Sequence, residues 1–262
     1  MSVVLPNVPP MLTGPVVPLP TWPTGLSLLD QCTGGGSPGE VWAVSGPPRV
    51  GADLLPLGMA RAVARHSGNS VHWVSTHEDE VYFRDRVLTA EGGRFVAHDR
   101  LGSDLGEHEG TLAWIKAEVP ALPLTFERAE PSMLLTAALQ AMEREGSRLV
   151  VLDEIGVGKV VGVLPRLRRA ARSSGCWVVV VVGDEAQGRG ATLASTHPKA
   201  DTLVWIERPD LYSRDESIGG EAYLSVHRAG QPMTEQFVAF QTQYARFINV
   251  YRQPLYGGRL DT

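Results

Sequence analysis

From residue 40 onward, apolar runs of strand length alternate with longer stretches whose apolar residues recur at helical spacing. Residues 40–45 (EVWAVS), 71–75 (VHWVS), 122–126, 149–152 and 177–182 (WVVVVV) read as strands. The last is almost entirely β-branched, as expected of a strand covered on both faces. Between them, helices are expected over 53–66, where Leu54, Leu55, Leu57, Met59, Ala62 and Val63 form the apolar set, and over 78–90, 131–145 and 164–173. Pro165 would then fall in a first turn, where it is tolerated. Such alternation predicts an α/β domain with a mainly parallel sheet and crossover helices. From Thr202 the strands crowd together, at 203–207, 221–228 and 236–240, which predicts an antiparallel C-terminal edge.

The first 23 residues carry seven prolines, which fix φ and remove backbone donors, so residues 1–22 should form an extended arm. A plain linker stub is the favoured reading of that arm, and a strap on a neighbouring subunit is the other. Residues 23–250 form one domain, without an internal repeat or a clear second domain, and 251–262 form a tail. With 262 residues, 43% hydrophobic and 20% charged, the chain has the material for a full core. It shows no apolar run of spanning length and no signal-peptide pattern. Cys32 and Cys176 are too few for a disulfide framework, so a cytoplasmic location is expected. The net charge of −5 gives no global attraction to nucleic acid.

Chemistry first becomes visible after the first strand, where Gly46-Pro47-Pro48-Arg49-Val50-Gly51-Ala52-Asp53 leads into a helix. Gly46 and Gly51 have the G-x-x-x-x-G spacing of a phosphate-binding P-loop, whose next two residues are normally a lysine and a Ser/Thr that holds Mg²⁺. Here those positions are Ala52 and Asp53, and Pro47 and Pro48 remove two backbone donors. Only three of the 24 basic residues are lysines, the first being Lys116, so none can come from this loop or its flanks. Arg49 is the nearest replacement cation, although its planar fork is not a lysine equivalent. Two readings follow. One is a structural turn inherited from a nucleotide-binding ancestor; the other is a weak, unusual ATP site in which Asp53 or another carboxylate ligates Mg²⁺. The joint change at 52 and 53 favours the first.

The stretch from Pro23 through Thr24-Gly25-Leu26-Ser27-Leu28-Leu29-Asp30 to Thr33-Gly34-Gly35-Gly36-Ser37-Pro38-Gly39-Glu40 resembles the opening of RecA-like ATPases. The later segments Ala200–Arg208, Glu221–Gly230 and Phe240–Phe247 fall in the order and spacing of DnaB-type replicative helicases. The chain is therefore similar, over about 23–250, to the C-terminal motor domain of that family, which implies a RecA-like P-loop NTPase fold. The resemblance implies ATP and Mg²⁺ as cofactors, single-stranded DNA as a ligand, and homo-oligomers or association with another RecA-like or helicase subunit.

It also assigns roles. Val150-Val151-Leu152-Asp153 is similar to the Walker B strand, whose aspartate orients Mg²⁺, and a strand-end Asp capping a loop is the alternative. The catalytic glutamate would be Glu154, or Glu78 with a one-residue slip, because His77 stands at the family position. The phosphate sensor falls at Gly183-Asp184, and the intersubunit K-x-R element at Val226-His227-Arg228, where the arginine remains and the lysine does not. DNA contacts would come from Lys159 in a short loop after Asp153, from Arg189 in the 185–192 loop, and from the helix bearing Arg166, Arg168, Arg169 and Arg172. The alternative for that helix is a solvated face paired with nearby carboxylates. Residues 98–109 are an acidic stretch, read as an exposed loop. Changes at 52, 53, 184 and 226 together predict a degenerate motor that acts as a binding or assembly subunit. A working DNA-dependent ATPase and a non-DNA oligomeric interaction protein are the alternatives.

Overall fold

The structure, a computed structural model, describes residues 22–66, 69–92, 119–144, 146–183, 199–211, 220–241 and 244–250, with single positions at 113, 117 and 196. Residues 1–21 of the arm, the tail, residues 98–109, Asp184 and Arg189 lie outside the described residues, whereas Trp22 is buried and bridges to Gly36.

Six strands run parallel: β1 (Val41–Ser45), β2 (Ser70–Ser75), β3 (Leu124–Arg128), β4 (Ser147–Gly156), β5 (Trp177–Gly183) and β6 (Thr202–Glu207). Three continue the sheet antiparallel: β7 (Glu221–Arg228), β8 (Thr234–Gln241) and β9 (Arg246–Asn249). The order across the sheet is β3-β2-β4-β5-β1-β6-β7-β8-β9. Five α-helices are described: α1 (Ser27–Thr33), α2 (Leu54–Arg65), α3 (Glu80–Gly92), α4 (Leu134–Glu143) and α5 (Val157–Ser174). The predicted parallel sheet with an antiparallel edge is thus present, with one change at the junction. The strand expected to start the edge, β6, pairs parallel with β1, so the direction reverses only at β7.

Side-chain alternation along the strands divides the core in two. Trp42, Val44, Val151, Trp177 and Val179 face α2 and α3, whereas Val41, Ala43, Val150, Val178 and Val180 face α4 and α5. On the first face Trp42 and Trp177 meet edge to face with ring centroids 5.0 Å apart. Gly36 lies against that pair, since a Cβ there would come within 2.3 Å of the Trp177 ring. The opening motif is therefore structural as it stands here: the Thr24 amide donates to Asp30 (2.9 Å), and Gly34 closes α1 in the left-handed region at φ 78°.

Two local expectations are corrected. The helix predicted over 164–173 begins at Val157, because Val160, Leu164, Leu167 and Ala171 carry a single buried stripe through it. Pro165 therefore sits in the helix interior, on the exposed side, where its ring removes one i→i−4 bond. The short loop expected to carry Lys159 does not form. Gly156 ends β4, and Lys159 is exposed in the first turn of α5. The strand expected over 122–126 is displaced to Leu124–Arg128, and β9 and α1 were not anticipated.

Candidate functional site

The carboxyl ends of β1, β5, β4 and β2 converge on one edge of the sheet, the place where open α/β sheets bind ligands. At the end of β1 the Ser45 hydroxyl donates to the Val182 carbonyl (2.8 Å), and the chain turns at Gly46. A Cβ at Gly46 would lie 2.5 Å from the Ile206 carbonyl oxygen and 2.7 Å from Val50 Cγ2, and Gly51 adopts φ +85°. Both glycines of the loop are thus required by packing and backbone conformation, whatever the loop binds.

Pro48 and Arg49 occupy the centre of a turn closed by the Val50 amide donating to the Pro47 carbonyl (3.4 Å). Arg49 is exposed with φ +70°, a conformation that glycine adopts without a Cβ penalty. Arg49→Gly should therefore raise stability by about 0.5–1 kcal/mol, seen as a higher urea midpoint with an unchanged slope.

Asp53, just before α2, accepts a 2.7 Å ion pair from Arg86 of α3. The same guanidinium, only 8% exposed, also pairs with the Glu78 carboxylate and lies 5.6 Å from the Trp73 ring centroid. Glu78 follows β2 in a turn organised by Ser75. The Ser75 hydroxyl oxygen accepts the amides of His77 (3.3 Å) and Glu78 (3.1 Å), and its proton is directed at Asp153 Oδ2 (3.3 Å).

Asp153 owes its position to a β-bulge. The β4–β5 register shifts between Leu152 and Ile155, so Asp153 and Glu154 together oppose one residue of β5. Glu154 takes φ +61° and points outward, while Asp153 is 1% exposed. Gly183 faces the bulge, and a Cβ there would sit 3.1 Å from Glu154 Oε1. His77 lies between the two acids, with Nε2 3.4 Å from Asp153 and Nδ1 3.6 Å from Glu154.

Four carboxylates therefore surround one buried guanidinium and one imidazole. Burial is the main reason that the Asp153 carboxyl is pushed up to about 7; the neighbouring Glu78 adds to the shift, and His77 and Arg86 oppose it. Burial likewise raises Glu78, against the pull of Arg86. Asp153 Oδ1 and Glu78 Oε2 are both buried without a hydrogen-bond partner.

A curated relative, the replicative DNA helicase DnaB of Leifsonia xyli subsp. xyli (strain CTCB07), is 26% identical over 257 residues, covering 87% of this chain and 56% of the relative. A solved ATPase domain matches with a TM-score of 0.74 at 15% identity, over 87% of this chain and 91% of that one. The chain has the RecA-like fold of DnaB-type helicase ATPase domains. A solved DnaB-like replicative helicase, described with its interactions with primase, also matches, with a TM-score of 0.75 at 16% identity over 87% of this chain and 62% of that one. No protein-family profile matches the chain. The chain spans about half the length of the curated relative.

Against the DnaB-type frame, Asp153, Glu154, Glu78, His77, Asp53 and the loop from Gly46 to Ala52 come together at one edge. Arg228 does not join them. It lies at the opposite end of the sheet, beside Thr202, where it pairs with Glu40 (2.6 Å) and donates to the Thr33 carbonyl. Arg168 is also engaged within the chain: it pairs with Asp201, which in turn accepts the Val41 amide (2.9 Å). Lys159, Arg166, Arg169 and Arg172 are exposed on α5. Arg86 was missed from sequence. Its signal was its place on the α3 stripe of Phe83, Val87 and Ala90, all buried, where an arginine needs an acidic partner. No helix among the described residues is long and apolar enough to cross a membrane.

Proposed function

We propose that this DnaB-type domain has given up nucleotide hydrolysis and serves as a DNA-associated binding or assembly subunit. The observation that carries this reading is the Arg86 clamp: this buried cation beside the loop is already bonded to Asp53 and Glu78. The residues present do not fit a magnesium nucleotide. Ala52 offers no cation, Asp53 puts a carboxylate where a hydroxyl would meet Mg²⁺, and Pro47 and Pro48 offer no amide donors to phosphate. Persistence of the two loop glycines does not count against the reading, because packing alone requires them. Calorimetric titration with ATP and Mg²⁺ tests it. No saturable heat is expected, and stoichiometric binding would reject it.

Association with DNA rests on α5. Lys159, Arg166, Arg169 and Arg172 share an exposed face, and none pairs with a carboxylate among the described residues, whereas Arg168 is occupied by Asp201. The helicase named for the curated relative acts on DNA, and the surface here offers phosphate contacts of the kind that weaken steeply with salt. Assembly with copies of itself or with another RecA-like subunit would be the corresponding role at the ring level.

A working ATPase is the second reading, favoured by one observation: Asp153 and Glu154 stay together at the carboxyl end of β4, facing the loop edge. Under it, Asp153→Ala would abolish measured hydrolysis.

A further inference from the structure

We propose that His77, Glu78 and Asp153 form a binding site for a borderline divalent transition metal ion, taken up without nucleotide. One ligand atom from each of the three lies within 4.8 Å of the others. Two of the ligands come with unused capacity. Asp153 is 1% and Glu78 5% exposed, and each has one buried carboxylate oxygen without a hydrogen-bond partner, Oδ1 and Oε2 respectively. A buried carboxylate oxygen that has left water and gained nothing is costly, and a cation is the ligand that removes the cost for both together.

The surrounding groups are arranged as supports for such a site. Ser75 holds the turn presenting His77 and Glu78 through both their amides and also reaches Asp153. Arg86 fixes the other oxygen of Glu78, so its carboxylate is oriented while Oε2 remains open. His77 Nε2 faces Asp153, and Nδ1 lies 3.6 Å from Glu154, which orients the imidazole as outer-sphere carboxylates commonly orient metal-bound histidines. His77 is itself half-exposed, leaving an approach for the ion and a position for water.

The donor set selects the class of metal. One imidazole and two carboxylates suit Zn²⁺, Co²⁺ or Mn²⁺, with Zn²⁺ the tightest of these, whereas Mg²⁺ prefers oxygen ligands alone and keeps most of its waters. A dication would also balance the two buried carboxylates that Arg86 cannot neutralise together with Asp53. The ligands belong wholly to this chain and none is a nucleotide oxygen, so the site stands apart from the proposed loss of hydrolysis.

The test is titration of metal-stripped, tag-free protein with ZnCl₂ in the absence of nucleotide, followed by calorimetry and by the visible absorption of the Co²⁺ form. One ion per chain is expected, Mg²⁺ at the same concentration should not displace it, and His77→Ala and Asp153→Asn should each weaken binding at least about tenfold. Glu154→Gln should weaken it less. His77 is on the surface, so His77→Ala will fold, and far-ultraviolet circular dichroism confirms that directly. Absence of saturable Zn²⁺ binding, or unchanged affinity in His77→Ala, would overturn the proposal while leaving the reading of the nucleotide loop intact. Conversely, ATP turnover would reject that reading without touching Zn²⁺ binding.

Discussion

Asp153→Asn is expected to stabilise the fold increasingly as pH rises. In the folded chain the carboxyl is pushed up to about 7, whereas in the unfolded chain it titrates at about 3.9. The folded state therefore holds a proton that the unfolded state has released, and stability falls with pH across that interval. Below about pH 3.5 the acid is neutral in both states, and asparagine should change little. Above about pH 7 the native protein must carry the buried charge, a cost of up to about 4 kcal/mol that asparagine avoids. Urea unfolding of both proteins at several pH values, with a chelator present, measures the difference directly. A difference independent of pH would mean that Asp153 is solvated or paired in a way its 1% exposure and open Oδ1 exclude.

Arg86→Leu carries the second large effect, in the opposite direction. Its removal strands Glu78, which is 5% exposed, and leaves Asp53 without its 2.7 Å partner. Breaking a buried pair from one side typically costs about 3–5 kcal/mol. Removing the stranded charge as well, in Arg86→Leu/Glu78→Leu, should recover more than half of the loss, since apolar replacement of a whole buried pair is close to neutral. A single-variant loss below about 1 kcal/mol would show that the guanidinium is not the clamp of this site.

The fold was readable because its main signals are long and redundant. The β-branched run of β5 and the alternation along the chain specify a covered parallel sheet whatever happens at the loops. The ends of elements were less so. The helix α5 was expected from residue 164, with Pro165 tolerated in its first turn, yet the stripe from Val160 to Ala171 buries enough apolar surface to carry the helix through the proline. At the site, the sequence placed Asp153, Glu154, Glu78 and the loop on one edge, because strand ends in a parallel sheet share an edge. It did not reveal the Asp153–Glu154 bulge, since a register shift depends on the facing strand rather than on local residues. It also gave Arg49 as the replacement cation, on grounds of nearness along the chain. The cation that meets Asp53 is Arg86, brought there from 33 residues away by the packing of α3.

A guanidinium already bonded to two carboxylates, an alanine at the lysine position and two prolines in the turn leave a phosphate chain without its usual counter-charges and donors. The measurement that bears most directly on this is phosphate release from ATP in the presence of Mg²⁺, with and without single-stranded DNA. The account predicts no release above the protein-free background in either case, and the same result for Asp153→Asn. DNA-stimulated release by the native chain that disappears in Asp153→Asn would contradict it.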